Sequence, residues 1–237
     1  MSLKPRIFIG LIALLLQSCS LLSYSKEEYV LLRRMINNPL RTATILPTST
    51  AATHCIARKV LQYVDDSEGY VVELGAGTGC ITAALLARGV APDRLICVEL
   101  DPELHQYMVE RFPADQYPGL QIILGDATKL ENILAEKSGK VAAIVTSIPM
   151  TGLPLEIRQA IAQACYNVLT PQGKVVQLSY RQKSAMTIPG MHRQLGGFVL
   201  LNLPPAFVWT FTKVQRASSR ESSLDRYGAS SLSCTEY

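Results

Sequence analysis

Five short apolar runs, separated by segments of helical character, constrain the fold of this chain more than any other feature. They are nearly continuous in Val, Ile and Leu, and in order they are YVVEL (70–74), RLICVEL (94–100), LQIIL (120–124), VAAIVTS (141–147) and KVVQLSY (174–180). Such runs are typical of strands that are buried on both faces of a parallel sheet. Because each of the first four precedes a helical segment, we expect right-handed crossovers and a doubly wound α/β sheet.

The last two apolar runs predict a different connection. FVLLNL (198–203) and FVWTFTK (207–213) are separated mainly by Pro204 and Pro205. This linker is too short for a parallel crossover, so the two runs are predicted to form an antiparallel hairpin.

Upstream of the sheet, two amphipathic segments predict helices. One follows a capping box at Ser25 and ends at Pro39, and the other covers residues 50–64 and buries Ile56, Val60, Leu61 and Val64. We expect a single domain over residues 26–213. Residues 214–237 are rich in serine and poor in apolar residues, which predicts a disordered tail.

The amino terminus carries an uncharged segment from Ile7 to Ser25 that allows three interpretations. It resembles an export signal with a lipoprotein cleavage box at Cys19. Its length also approaches the ~20 residues that span a bilayer, and a third interpretation is a mis-assigned start site. Basic residues lie on both sides of the segment, with a slight excess behind it, which favours a membrane-associated domain on the cytoplasmic face.

Charge and cysteine content exclude some classes of partner. The formal net charge of +4 is well below that of a dedicated nucleic-acid binder, so nucleic acid is not expected as a partner. The six cysteines are scattered without a CxxC pair, so neither a disulfide framework nor a metal site is expected.

The loops after the first three strands carry the candidate chemistry. Glu73 begins the motif E-L-G-A-G-T-G, in which Gly75, Gly77 and Gly79 allow a tight turn before a helix whose N-terminal amides favour an anion. The second predicted strand ends at Glu99, where a carboxylate can accept hydrogen bonds from ribose hydroxyls. After the third run, Asp126 is suited to accept from an adenine amine, and Ala127 follows it. The three loops meet at the carboxyl edge of the sheet, which predicts an adenosine derivative as ligand.

These motifs distinguish between adenosine cofactors. The dinucleotide fingerprint G-x-G-x-x-G/A and the Walker loop are both absent from the sequence. The residues 73–79, 99 and 125–127 resemble the class I S-adenosylmethionine-dependent methyltransferases. That resemblance implies a Rossmann-like seven-stranded sheet with an antiparallel last hairpin, and S-adenosylmethionine as cofactor. It also implies that the glycine loop passes the methionine part, Glu99 holds the ribose hydroxyls and Asp126 contacts adenine.

The fourth run ends in Ser147-Ile148-Pro149-Met150. Adenine-N6 methyltransferases, among them the related ribosomal RNA dimethyltransferases, carry Asn or Asp and an aromatic residue where this chain has Ser147 and Met150. By contrast, residues 32–49, 147–150, 178–180 and 202–206 resemble the bacterial phospholipid N-methyltransferases, although Ala43 replaces the usual glycine. This resemblance implies methyl transfer to phosphatidylethanolamine at a membrane surface.

A lipid amine would need a phosphate contact and an orienting group. We expect Arg41 to attract the headgroup phosphate and Tyr180 to hydrogen-bond the amine, with Ser147 and Pro149 in the loop beside them. For these residues a structural role is the alternative: Tyr180 at the rim of the core, Ser147 as a helix cap and Pro149 as a loop former.

Two alternative functions remain open from the sequence. One is an RNA adenine-N6 dimethyltransferase, which predicts salt-sensitive RNA binding. The other is a non-catalytic exported lipoprotein with a methyltransferase-like fold, which predicts Cys19 as the lipidated mature N-terminus.

Overall fold

The computed structural model describes residues 49–64, 68–180, 186–202 and 205–214. Arg41, the apolar segment 1–25, the predicted helix that starts at Ser25 and residues 215–237 of the predicted tail lie outside these ranges. The described residues all belong to one compact unit.

Strands and helices alternate through most of the described chain, as the apolar runs predict. The helices are α1 (Thr50–Val64), α2 (Cys80–Leu86), α3 (Pro102–Arg111), α4 (Leu130–Leu134) and α5 (Leu155–Val168). The strands are β1 (Tyr70–Leu74), β2 (Leu95–Glu99), β3 (Gln121–Leu124), β4 (Val141–Thr146), β5 (Leu169–Ser179), β6 (Met191–Val199) and β7 (Ala206–Lys213).

The strands form one seven-stranded sheet in the order β3-β2-β1-β4-β5-β7-β6. The first five strands are parallel to their neighbours, and β7 is antiparallel to both β5 and β6. The predicted doubly wound α/β sheet with an antiparallel C-terminal hairpin is therefore confirmed. Because the strand order reverses between β1 and β4, the loops after these strands diverge and leave a crevice at the carboxyl edge.

The core lies on both faces of the sheet. Val71 of β1 packs with α1 and α2 on one face, and Val72 packs with α4 and α5 on the other. All residues of β2 and β4 are buried, as expected for strands covered on both sides. The helix predicted over residues 50–64 is confirmed as α1, whose Leu61 is half-buried rather than fully buried.

The hairpin differs from the prediction in one strand. The run 198–203 was predicted to be a strand, but β6 begins at Met191 and ends at Val199. The chain turns after Val199. In the loop that follows, Asn202 is buried, with 2% of its surface exposed, and its Oδ1 accepts a hydrogen bond from the Ser49 amide at 2.9 Å. The local sequence gives no sign of this partner, since the two residues are 153 positions apart.

Candidate active site

The glycine loop between β1 and α2 is held in a left-handed backbone conformation. Gly75, Gly77 and Gly79 have φ angles of 73°, 60° and 80°, a region that costs other residues about 1–2 kcal/mol each. A Cβ on Gly79 would overlap Phe112 at 2.5 Å, whereas a Cβ on Gly77 would meet nothing nearer than the Gly75 carbonyl oxygen at 4.0 Å. Gly79 is thus required by packing, and Gly77 faces open space in which a ligand fits.

Glu99 connects the end of β2 to this loop. Its Oε2 accepts a hydrogen bond from the Gly77 amide at 2.8 Å, and its Oε1 accepts one from the Asp101 amide at 2.9 Å. The side chain is 7% exposed. An ionised carboxylate is a strong acceptor, and a contact of Glu99 with ribose hydroxyls stays a prediction.

Asp126 lies one strand further along the same edge, after β3. Its Oδ1 accepts a hydrogen bond from the Thr128 amide at 2.9 Å, which caps a short 3₁₀ helix at Ala127–Lys129. Ala127 is 8% exposed and packs in the core. The cap fixes the position of the Asp126 carboxyl group, and a contact of its second oxygen with adenine stays a prediction.

Glu73 lies beneath the glycine loop rather than at its surface. It is 1% exposed, and its Oε2 accepts a hydrogen bond from the Thr82 hydroxyl of α2 at 2.5 Å. Burial, together with the nearby Glu99 carboxylate, raises the pKa of Glu73 to about 8. Its Oε1 is buried and has no hydrogen-bond partner. Glu73 is therefore a neutral acid at neutral pH, and direct contact with a cofactor stays a prediction for this residue.

The loop after β4 is tied to the glycine loop. The Ser147 hydroxyl donates a hydrogen bond to the Gly75 carbonyl oxygen at 2.9 Å. A Cβ on Gly75 would approach Ile148 to 2.9 Å. Pro149 precedes a short 3₁₀ helix at Met150–Gly152, and Met150 is 3% exposed. Ser147 thus braces the crevice from the β4 side, and its Oγ is already engaged as a donor.

Tyr180 follows β5 and is half-buried against the α1 side of the core. Burial raises the pKa of its phenol, and a hydrogen bond with the Asn202 side chain opposes this rise. Asn202 thus links Tyr180 to Ser49, because its Oδ1 also accepts the Ser49 amide.

Three comparisons with known proteins bear on this crevice. Residues 71–173 match a family model described as a methyltransferase domain. The chain is 29% identical over 156 residues to an ornithine lipid N-methyltransferase of Singulisphaera acidiphila, covering 65% of this chain and 78% of that protein. It is 33% identical over 115 residues to a ribosomal RNA small subunit methyltransferase A of Kineococcus radiotolerans, covering 45% of this chain and 36% of that protein.

The chain carries a methyltransferase domain and is an S-adenosylmethionine-dependent methyltransferase. Its fold is similar to that of TrmN from Thermus thermophilus, with a TM-score of 0.50 and 19% identity over 67% of this chain and 48% of that one. A Pyrococcus horikoshii protein, PH0226, gives a TM-score of 0.53 and 12% identity over 77% of this chain and 99% of that one.

The crevice of this methyltransferase carries residues of the kind that its cofactor needs. A Cβ on Gly77 would face open space, and the Glu99 carboxylate lies beside the glycine loop. That these residues hold the methionine part and the ribose of S-adenosylmethionine stays a prediction. Within the described ranges, no group of three His, Cys, Asp or Glu side chains has the arrangement of a metal site.

Two residues of this edge were missed by the sequence analysis. Leu100, directly after Glu99, is 67% exposed and offers an apolar surface beside the ribose position. The sequence E-L-D, in which a large apolar residue stands between two acids, could have indicated that Leu100 is exposed. Asn202 belonged to a quoted motif, but its link to Tyr180 depends on a tertiary contact.

Replacing Glu99 with alanine should weaken cofactor binding about 10- to 100-fold. The change removes a charged acceptor from the ribose and from two backbone amides, and such hydrogen bonds contribute about 1.5–3 kcal/mol each. Isothermal titration calorimetry with S-adenosylhomocysteine measures the effect. Glu110→Ala, on the exposed side of α3, is the matched control, and an unchanged dissociation constant for Glu99→Ala would mean that the ribose binds elsewhere.

Proposed function

We propose that this methyltransferase transfers a methyl group to the amine nitrogen of a membrane phospholipid such as phosphatidylethanolamine. The observation that carries the proposal is the chemistry of the loop after β4. The Ser147 hydroxyl is engaged with the Gly75 carbonyl, Met150 is buried, and residues 147–154 contain no aromatic or charged side chain. Such a loop offers a flipped base no aromatic stacking surface, and no carboxamide or carboxylate oxygen to accept from its exocyclic amine.

An aliphatic amine needs fewer contacts from the protein than a flipped nucleobase does. When bound, S-adenosylmethionine supplies an electrophilic methyl group on a positively charged sulfur. Methyl transfer is an in-line displacement, so the chain mainly has to position a neutral amine and exclude water. Tyr180, next to the crevice on the β5 side, is our candidate for holding the amine.

The chemical state of Tyr180 supports an orienting role. Its raised pKa keeps the phenol neutral at neutral pH, so the residue acts through a hydrogen bond rather than as a phenolate base. The hydrogen bond with Asn202 helps to hold the Tyr180 phenol in place. The headgroup phosphate is assigned to Arg41 from the sequence, and Arg41 lies outside the described residues.

Two further observations are consistent with a lipid substrate. One relative is an ornithine lipid N-methyltransferase that the chain covers over 78% of its length. The amino-terminal segment Ile7–Ser25 is uncharged, and we propose that it holds the protein on the cytoplasmic face of a membrane. Within the described ranges, no helix has both the length and the apolar character needed to cross a bilayer.

The function is tested by offering two substrates to the full-length protein. Methyl-labelled S-adenosylmethionine is incubated with phosphatidylethanolamine vesicles and, separately, with ribosomal RNA. We expect label in the lipid. Label only in RNA would overturn the lipid assignment in favour of adenine methylation, an outcome given some weight by the similarity to a ribosomal RNA methyltransferase.

Tyr180→Phe should lower kcat on phosphatidylethanolamine vesicles about tenfold, because loss of one orienting hydrogen bond costs about 1.4 kcal/mol in the transition state. The dissociation constant for S-adenosylhomocysteine should not change. Tyr166→Phe, a half-buried tyrosine on the other face of the sheet, is the control. Equal kcat values for the two variants would remove Tyr180 from the mechanism.

A further inference from the structure

On the side of the carboxyl edge that carries Tyr180, three leucines are strongly exposed. Leu155, Leu200 and Leu201, here called the apolar edge, are 53%, 70% and 62% exposed. Leu155 begins α5 directly after the loop that carries Ser147, and the other two lie in the loop between β6 and β7. Large apolar side chains gathered beside a functional crevice are typical of an interaction surface.

Strand register places the β6–β7 loop beside the proposed acceptor site. Ser179 of β5 is paired with Phe207 of β7, and Ala206 of β7 is paired with Val199 of β6. The loop that joins β6 to β7 therefore lies at the same edge as Tyr180. The loop after parallel strand β4, which leads into Leu155, also lies there.

In the described part of the β6–β7 loop, the polar residue is buried and the two leucines before it are exposed. Asn202 is 2% exposed and accepts the Ser49 amide, while the two leucines before it are exposed. Loops more often bury their apolar side chains. Because Asn202 is held by hydrogen bonds at the base of the loop, the exposed position of Leu200 and Leu201 is part of the fold.

The same contact shows where the amino-terminal chain enters the domain. Ser49 is held against Asn202, so the preceding 48 residues join the domain next to Leu201. Those residues include the uncharged segment Ile7–Ser25. A long amino-terminal chain with an uncharged segment is thus attached at Ser49, beside the exposed leucines. This favours a bilayer over a soluble macromolecule as the partner of the apolar edge.

We propose that the apolar edge docks into the interface of a lipid bilayer and turns the crevice beside Tyr180 toward the lipid headgroups. This inference rests on the proposed function and adds the surface through which the domain reaches its substrate. Leucine side chains can enter the acyl boundary while the backbone of the loop stays at headgroup level.

Tryptophan quenching tests the proposal on the full-length protein. The sequence has one tryptophan, Trp209, which is 5% exposed. Leu201→Trp places a second in the apolar edge. Leu195→Trp is the matched control, because Leu195 is 47% exposed in the middle of β6, about 15 Å from the loop at the rise of a strand. The probe is vesicles of phosphatidylethanolamine and brominated phosphatidylcholine.

We expect added vesicles to quench and blue-shift the emission of Leu201→Trp, with little change in Leu195→Trp or in wild type. Unchanged Leu201→Trp emission would overturn the docking proposal. So would emission that is already blue-shifted before vesicles are added, since a second copy or the chain's own amino-terminal segment would then cover the loop.

A second variant separates docking from catalysis. Leu200→Ser combined with Leu201→Ser should lower kcat/KM on phosphatidylethanolamine vesicles about tenfold and leave it unchanged on dispersed short-chain phosphatidylethanolamine. Equal rates with wild type on vesicles would overturn docking alone. If Leu201→Trp is quenched but no lipid is methylated in either form, the proposed function fails and the docking surface stands.

Discussion

Gly79→Ala should lower the free energy of unfolding by about 2–5 kcal/mol. The residue has a φ of 80°, which costs an alanine about 1–2 kcal/mol. Its Cβ would also overlap the Met108 sulfur and approach the Phe112 ring to 2.5 Å. Both side chains are buried, Met108 completely, and overpacking of this kind adds about 1–3 kcal/mol.

A second glycine separates the contribution of backbone strain from that of overpacking. Gly89 has a φ of 94°, and a Cβ there would meet nothing within 4 Å. Gly89→Ala should therefore cost only about 1–2 kcal/mol of backbone strain. Urea unfolding of wild type and both variants measures the difference, and equal losses would show that the packing of the loop on α3 contributes nothing.

The stability of the domain should fall as the pH rises from about 4.5 to about 8, and Glu73 is the cause. The pKa of Glu73 is raised from 4.5 to about 8 in the folded state. In this window the unfolded chain releases the proton while the folded chain keeps it, so each pH unit favours unfolding by about 1.4 kcal/mol. The stabilisation is complete below pH 4.5 and is lost by about pH 8, a change of several kcal/mol.

Glu73→Gln isolates this effect, because a glutamine mimics the neutral acid and does not titrate. The free energy of unfolding of Glu73→Gln should vary less between pH 5 and 8 than that of wild type, by about 1.4 kcal/mol per unit. Glu136→Gln, an exposed residue of the short helix Ala135–Lys137, should keep the wild-type slope. Parallel slopes for Glu73→Gln and wild type would mean that Glu73 is ionised in the fold.

The sheet was predictable because strands that are buried on both faces appear in the sequence as short, nearly continuous apolar runs. β1, β2 and β4 are runs of Val, Ile, Leu and Ala with few polar residues, and their limits differ from the predicted ones by two residues or fewer. The glycine loop and Glu99 were predictable for a similar reason, since left-handed turns and an acid at a strand end appear directly in the sequence. The predicted limits of β6 were wrong at both ends: the strand begins at Met191 and ends at Val199, before Asn202, which is held by the distant Ser49.

The features of the crevice also form two groups, those that the sequence shows and those that depend on the tertiary structure. Sequence alone determined the class of fold, the order of the loops and the acid at the end of the second strand, because each is evident from short local runs and turns and from their order along the chain. Only the tertiary structure decided that Ser147 braces Gly75, that Asn202 links Tyr180 to Ser49 and that Leu200 and Leu201 face outward beside them. These features depend on hydrogen bonds and solvent exposure between segments that are distant in the chain and meet only when the sheet is assembled.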